Sequence, residues 1–205
     1  MNHGKLYIIS APSGAGKTSL VRQLIAELDS LTVSTSHTTR PMRPGEEHGR
    51  DYYFVPVADF QAMLERQAFL EHAQVFDNFY GTARQTVEEN LSLGLDVILE
   101  IDWQGAQQIK KLLPDSLSIF ILPPSTDILQ QRLRSRGQDD EQIIARRMRD
   151  AVAEISHYDE FDYLVVNDVF EQALAELKSI LIANRLTRQR QQHHLEPLLK
   201  ALLSQ

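Results

Sequence analysis

The chain has 205 residues, of which 42% are hydrophobic, and its 28 acidic and 21 basic residues give a net charge of −7. This acidic balance argues against a general nucleic-acid or membrane binder, and the absence of cysteine excludes disulfides, thiolate metal sites and a cysteine nucleophile. No apolar run approaches membrane-spanning length, and residues 1–5 lead straight into a strand-like run, so we expect a cytoplasmic protein without a signal peptide. The length suits one core with small insertions.

A glycine-containing stretch at residues 11–18 carries the strongest motif. It lies between a strand-like run at 5–10 and an amphipathic helical pattern at 17–29, the setting of the phosphate-binding pattern G-x-x-x-x-G-K-[ST]. Backbone N–H groups at the start of the helix can bind phosphate, Lys17 can reach a transferred phosphoryl group, and Thr18 can bind magnesium. The residues expected to bind ATP here are Ala11, Pro12, Ser13, Gly14, Ala15, Gly16, Lys17 and Thr18.

Ala11 stands where this pattern usually has its first glycine. We expect the replacement to be tolerated, because Pro12 already restricts the local backbone. Gly14 and Gly16 keep the conformational freedom that the loop requires.

The amino-acid composition changes at residues 36–50, which are polar and contain two prolines and two glycines. A polar loop of this length inside a compact chain is usually functional or disordered, and the strand-like run that follows it argues against disorder. The next patterns predict a strand at 52–55, a helix at 60–67, a strand at 69–75, a turn at 78–82 and a helix at 84–93. Residues 36–88 are therefore interpreted as a small α+β insertion between two parts of a parallel-sheet core.

Further buried strands are predicted at 97–102, 117–122 and 163–168. The first ends in acids, and ligands of doubly wound sheets lie beyond the carboxyl ends of the strands. Glu100 and Asp102 can therefore hold a magnesium-bound water or contact a nucleotide. A short β-branched run at 31–34 predicts another strand.

Arginines flank a glycine hinge in the segment 126–150. They suit a lid that closes on phosphate oxygens, although several of them are expected to form surface pairs with neighbouring acids. A final helix is predicted over about 170–191, with an apolar face that serves either the core or a subunit contact. The arginines and histidines of 185–194 are interpreted as a solvated helix end rather than a metal or nucleic-acid site.

Taken together, these motifs resemble a guanylate kinase over nearly the whole chain, and the versions at 10–17 and 102–108 resemble the bacterial branch. The motifs that carry the resemblance are the phosphate loop at 11–18, Ser36 through Tyr52, Phe69-Leu70-Glu71, Tyr80-Gly81-Thr82, Ile101-Asp102-x-Gln104-Gly105, Leu133-Arg134-x-Arg136-Gly137 and Val166-Asn167-Asp168.

The resemblance implies an α/β fold: a P-loop NTPase three-layer core with a parallel sheet, a GMP-binding insertion and a helical lid. The core would comprise 1–35, 89–125 and 151–205, the insertion 36–88 and the lid 126–150. The implied reaction is magnesium-dependent transfer of the ATP γ-phosphate to GMP, with no nucleic-acid or membrane partner. Oligomeric state and tolerance of dGMP stay open.

The resemblance also implies roles for individual residues. Lys17, Arg132, Arg136 and Arg147 would neutralise the transferring phosphoryl group, and Asn167 would lie near the adenine. Thr18 would hold magnesium, with Glu100 or Asp102 acting through water. The residues implied to bind GMP are Ser36, Arg40, Arg43, Glu46, Tyr52, Glu71, Tyr80, Thr82, Glu100 and Asp102.

Three alternatives remain at this point. A kinase for another nucleoside monophosphate would share the phosphate loop but lack Glu71 and Thr82. A regulatory P-loop GTPase would need an Asn/Thr-Lys-x-Asp motif, which the sequence does not contain. A non-catalytic guanylate-kinase-like binding module would typically have lost parts of the ATP site, whereas Lys17, Thr18 and the lid arginines are present.

Overall fold

The computed structural model describes residues 3–75, 77–135 and 141–204. In chain order the helices and strands are β1 (Leu6–Ser10), α1 (Lys17–Glu27), β2 (Leu31–Val33), β3 (His37–Thr38), β4 (Tyr53–Phe54), α2 (Val57–Glu65), β5 (Phe69–Val75), β6 (Asn78–Ala83), α3 (Arg84–Ser92), β7 (Asp96–Glu100), α4 (Trp103–Leu112), β8 (Leu117–Leu122), α5 (Thr126–Ser135), α6 (Glu141–Ile155), β9 (Tyr163–Val166), α7 (Phe170–Arg185), α8 (Arg188–His194) and α9 (Glu196–Leu203).

The central sheet is parallel and has the strand order β2-β7-β1-β8-β9. Every residue of β1 is buried, as expected for a strand covered on both faces. Tyr7 and Ile9 pack in one cluster with apolar residues of α1 and α7, whereas Leu6 and Ile8 pack in another with residues of α3 and α4. Successive side chains of a strand point to opposite faces, so the core has three layers, which confirms the predicted α/β class.

A second sheet has the order β4-β3-β6-β5. Its β3 pairs in parallel with β4 and antiparallel with β6, which also pairs antiparallel with β5. The strand predicted at 69–75 is confirmed by β5, but the turn predicted at 78–82 is wrong, because these residues form β6. Glycine and asparagine suggested a turn locally, whereas pairing on both edges keeps the segment extended.

The carboxyl-terminal region also differs from the prediction. The helix expected over 170–191 ends at Arg185, and α8 and α9 follow as separate helices. Two arginines of this tail are only partly exposed and are paired: Arg185 and Arg190 approach the carboxylate of Asp96 at 2.8 and 2.7 Å, and only 2% of the Asp96 side chain is exposed. The tail is therefore anchored to the amino-terminal end of β7, opposite the end where ligands of such sheets bind.

Within the described part of the chain, no helix is both long and apolar enough to cross a membrane.

Candidate active site

The carboxyl ends of the central strands open into a cleft of about 880 Å³. The Ser10 hydroxyl donates a 2.7 Å hydrogen bond to the Ile101 carbonyl, which fixes the ends of β1 and β7 side by side. The phosphate loop, the insertion and α6 all contribute side chains to the cleft wall, Arg147 among them. A cleft of this size at this edge is where ligands of an open α/β sheet bind.

The phosphate loop has the conformation that its glycines make accessible. Gly14 and Gly16 have φ values of +93° and +94°, in a region that residues with a Cβ rarely adopt. A Cβ at Gly16 would lie 2.3 Å from the Asn167 amide nitrogen. Ala11 has no such positive φ, which explains why a residue other than glycine fits at this position of the pattern. Helix α1 begins at Lys17, within the last two residues of the loop, so its amino-terminal N–H groups face the cleft.

Hard oxygen ligands for magnesium lie beside this loop. The Thr18 hydroxyl donates to Glu100 Oε2 at 3.2 Å, and Asp102 follows from the same strand end. Hydroxyl and carboxylate oxygens are the ligands that Mg²⁺ prefers when it travels with nucleotide phosphates, so the residues fit that ion. The described residues contain no cluster of three or more carboxylate or histidine side chains that could hold a metal by themselves.

A buried carboxylate lies deeper in the cleft. Glu71 is only 3% exposed, and Thr82 donates its hydroxyl to Glu71 Oε1 at 2.5 Å. Ser36 Oγ lies 3.3 Å from Thr82 Oγ1, so three predicted residues from separate segments form one polar chain. Burial raises the pKa of Glu71 to about 7, Asp102 adds to the rise, and Thr82 and Lys17 oppose it.

Asp102 lies next to this pocket and caps α4. Its Oδ1 accepts the Gly105 N–H at 2.9 Å, and its Oδ2 accepts from the Gln104 side chain at 3.2 Å. Burial raises the pKa of Asp102 above its ordinary value, while the Gly105 N–H and Lys17 oppose that rise. The carboxylate is thus fixed in orientation at the strand end.

The basic residues of the insertion form a second group. Arg40 binds Glu46 through two parallel contacts, Nη1 to Oε2 at 2.9 Å and Nη2 to Oε1 at 2.8 Å. The guanidinium carbon of Arg40 lies 5.3 Å from the centre of the Tyr52 ring, and the centres of the Tyr52 and Tyr80 rings are 6.0 Å apart. Arg43 is exposed at the cleft rim. The structure places these predicted residues close together. The Glu46 carboxylate, however, is already used within the group, because it accepts hydrogen bonds from the Arg40 side chain and from the Arg43 N–H.

Two of the arginines predicted for the lid are described: Arg132 lies on α5 and Arg147 on α6. Arg132 donates from Nη2 to the Asn167 carbonyl at 3.0 Å, and its buried Nη1 has no hydrogen-bond partner among the residues that the structure describes. Arg147 lines the cleft. Arg136, the third predicted lid arginine, lies outside the described residues. An unpaired, buried guanidinium nitrogen beside a phosphate loop is suited to an anionic ligand.

Asn167 was expected near an adenine. Its side chain is 5% exposed and donates to the Ala15 carbonyl at 2.7 Å, so the amide N–H group is already used by the phosphate loop. The adenine contact stays a prediction.

Glu154 of α6 is a site residue that the sequence analysis missed. Burial raises its pKa to about 7, while Lys17 and the Ser13 N–H favour its charged form and Asp102 and Asp150 disfavour it. No local pattern marks this glutamate as special, since it lies among other acids of a long helix. Its spacing of seven residues from Arg147, two helical turns along one face, is the signal that could have found it.

The comparisons with known proteins agree with this geometry. The family model described as guanylate kinase matches residues 3–184. A guanylate kinase of Methylococcus capsulatus is 59% identical over 99% of this chain and 100% of its own length, and one of Salmonella typhi is 56% identical over the full length of both chains. The crystal structure of guanylate kinase from Anaplasma phagocytophilum is 33% identical, with a TM-score of 0.77 over 96% of each chain. The cleft combines a phosphate loop with a buried carboxylate, and this similarity along the whole chain shows that the chain belongs to the guanylate kinase family.

Proposed function

We propose that this protein transfers the γ-phosphate of ATP to GMP, giving ADP and GDP, with magnesium. One observation carries the proposal: the buried pair of Glu71 and Thr82 lies in the same cleft as the phosphate loop. A triphosphate donor and a guanine acceptor can therefore bind side by side. The protein would serve guanine nucleotide synthesis and recycling in the cytoplasm, where both substrates occur.

Guanine fits the acceptor pocket because of its hydrogen-bonding edge. It presents two donors, N1–H and the 2-amino group, which a single carboxylate such as Glu71 can accept together. The hydroxyls of Ser36 and Thr82 can donate to O6. Adenine presents the opposite pattern and would leave a buried carboxylate unpaired, so a site of this kind can reject it by a factor of roughly 10⁴.

The GMP phosphate would be bound by Arg40, Arg43, Tyr52 and Tyr80. The contact between Glu46 and Arg40 supports an indirect role for Glu46: it holds the guanidinium in one plane so that free N–H groups face the phosphate. Burial raises the pKa of Tyr52 to about 12, with Tyr80 and Glu100 adding to the rise. The Tyr52 hydroxyl therefore keeps its proton at neutral pH and can donate it in a hydrogen bond.

Phosphoryl transfer needs neither a covalent intermediate nor a strong base here, because the acceptor is an ionised phosphate oxygen. Positioning and charge neutralisation suffice in a closed site. Lys17 and the lid arginines Arg132, Arg136 and Arg147 would neutralise charge on the phosphoryl oxygens. Thr18, with Glu100 or Asp102 acting through water, would hold magnesium, which would supply positive charge beside the phosphates.

Two moving parts would close the cleft: the insertion 36–88 and the lid 126–150, against a core of 1–35, 89–125 and 151–205. The separate four-stranded sheet of the insertion supports this division. An ion pair of 2.5 Å between Arg22 of α1 and Asp51 of the insertion provides a contact through which the insertion can be held against the core. Closure would exclude water and limit ATP hydrolysis.

The test is an ADP-release assay with purified protein, ATP and magnesium, in which GMP, dGMP, AMP, CMP and UMP are supplied separately. We expect GMP to give much the fastest release. Equal release with GMP and AMP would refute the guanine assignment. Tight GMP binding by calorimetry without any turnover would instead favour the non-catalytic binding module.

A further inference from the structure

Gly105 lies in the first turn of α4, directly beside the base-reading pocket. Its N–H donates to Asp102 Oδ1 at 2.9 Å, the ordinary contact of a helix-capping aspartate. The φ angle of Gly105 is not positive, so the backbone at this position does not require glycine. Glycine is a poor helix former compared with alanine, and some other constraint must favour it.

That constraint is the space between α4 and Glu71. A Cβ atom built on Gly105 would lie 2.6 Å from Glu71 Oε2 and 3.2 Å from Glu71 Cδ. The other carboxylate oxygen of Glu71 accepts the Thr82 hydroxyl at 2.5 Å. The carboxylate is thus packed between a hydrogen-bond donor on one side and the bare Cα of a glycine on the other.

We propose that Gly105 is a positioning residue that determines base specificity: its missing side chain leaves the Glu71 carboxylate where guanine can donate to it. The same residue orients Asp102 through its N–H. This inference rests on the proposed function, since it concerns recognition of a nucleoside monophosphate whose base has two neighbouring donors.

A methyl group at position 105 would displace the Glu71 carboxylate and leave the fold intact. The atom that it would meet most closely is the far end of the Glu71 side chain, which can rotate, whereas Ile101 Cβ, at 3.3 Å, would have to move by only a few tenths of an ångström. Rotation of Glu71 would lengthen or break its bond to Thr82 and move both acceptor oxygens. The phosphate loop does not depend on this contact, so ATP binding should change little.

The test compares Gly105→Ala with the wild type in steady-state kinetics for ATP, GMP and IMP. IMP has the N1–H group but lacks the 2-amino group, so the ratio of GMP to IMP efficiency reports how well the carboxylate accepts both donors. We expect kcat/KM for GMP to fall about tenfold or more, the size of one lost charge-assisted hydrogen bond. The ratio of kcat/KM for GMP to kcat/KM for IMP should fall, and KM for ATP should stay within about twofold of the wild-type value.

Glu71→Ala supplies the matched background. If Gly105→Ala acts by displacing the Glu71 carboxylate, the double variant Gly105→Ala/Glu71→Ala should bind GMP almost as well as Glu71→Ala alone. Should Gly105→Ala alone unfold, the same double variant should regain the thermal transition, because the clash is gone. An unchanged GMP-to-IMP preference, or an equal loss with and without Glu71, overturns the proposal.

The two levels of inference can fail separately. A wild type that does not use GMP would contradict the proposed function, whereas an active wild type with an indifferent Gly105→Ala variant would contradict only the role of Gly105. GMP binding by calorimetry on the same four proteins provides a readout that is independent of turnover.

Discussion

The side-chain amide of Asn167 donates to the main-chain carbonyl of Ala15 at 2.7 Å, across 152 positions of the chain. The main-chain carbonyl of the same asparagine accepts from Arg132 Nη2 at 3.0 Å. Asn167 therefore connects the phosphate loop on one side with helix α5 on the other. Its position after β9 places this connection on the rigid sheet.

We expect Asn167→Ala to raise KM for ATP and to lower kcat/KM about fivefold, because the phosphate loop loses the side-chain contact at Ala15, whereas the main-chain carbonyl that accepts from Arg132 remains. One buried hydrogen bond has a net effect of about 1 kcal/mol, which corresponds to several-fold in rate. Steady-state kinetics with ATP varied at saturating GMP measures this. Glu171→Ala, at an exposed position of α7, is the control. Unchanged ATP kinetics in Asn167→Ala would show that the loop keeps its shape without this contact.

Lys17→Ala should abolish most phosphoryl transfer while leaving the protein folded. Removal of one group that stabilises charge in the transition state typically lowers kcat by a factor of about 10² to 10³. Single-turnover rates of GDP formation give the effect on chemistry, and circular dichroism checks the fold. Lys111→Ala, at an exposed position of α4, should behave as the wild type. Normal turnover without Lys17 would remove this residue from the mechanism.

GMP binding should strengthen as pH rises from 6 to 8. Guanine donates to the ionised form of Glu71, and burial raises the pKa of this group to about 7, so the binding form becomes populated across this range. KM for GMP, measured at several pH values with ATP saturating, should fall with rising pH. In Glu71→Gln the affinity for GMP should drop and this pH dependence should disappear. A flat profile in the wild type would contradict the raised pKa.

ATP binding should show the opposite trend. Glu154 also has its pKa raised to about 7 by burial, and it faces Lys17, Asp102, Asp150 and the Ser13 N–H. As pH rises through this range, a negative charge develops beside the phosphate loop and opposes the ATP phosphates. KM for ATP should therefore increase from pH 6 to 8, and Glu154→Gln, which keeps the shape without the charge, should flatten the increase. A profile unaffected by the substitution would place the titrating group elsewhere.

Asp96→Ala should reduce stability far more than activity. Asp96 is buried and pairs with Arg185 and Arg190, and removal of one partner from a buried ion pair typically costs about 3–5 kcal/mol. Denaturant unfolding measures the loss, and assays at low temperature should show nearly normal turnover because Asp96 begins β7 at the end remote from the cleft. Glu196→Ala, which removes the exposed partner of Lys200, should change stability little. A selective loss of turnover in folded Asp96→Ala would connect the tail with catalysis.

The sequence by itself determined the features that depend on near neighbours. The phosphate loop could be predicted because Gly14, Gly16, Lys17 and Thr18 act within one turn between a strand and a helix. The buried apolar runs predicted a parallel-sheet core from local pattern, whereas its three-layer arrangement came from the family resemblance. The residues proposed to bind guanine came from the family resemblance, since no spacing rule relates Ser36, Glu71 and Thr82.

Tertiary structure alone decided the features that join distant segments. Residues 78–82 resemble a turn until β5 and β3 pair with them on both sides. The tail arginines resemble a solvated helix end until Asp96 binds them, and Gly105 resembles a poor helix residue until Glu71 packs against it. The physical reason is the same in each case: local sequence sets backbone preference, whereas burial, pairing and steric contact between segments far apart in the chain are fixed only when the whole core packs.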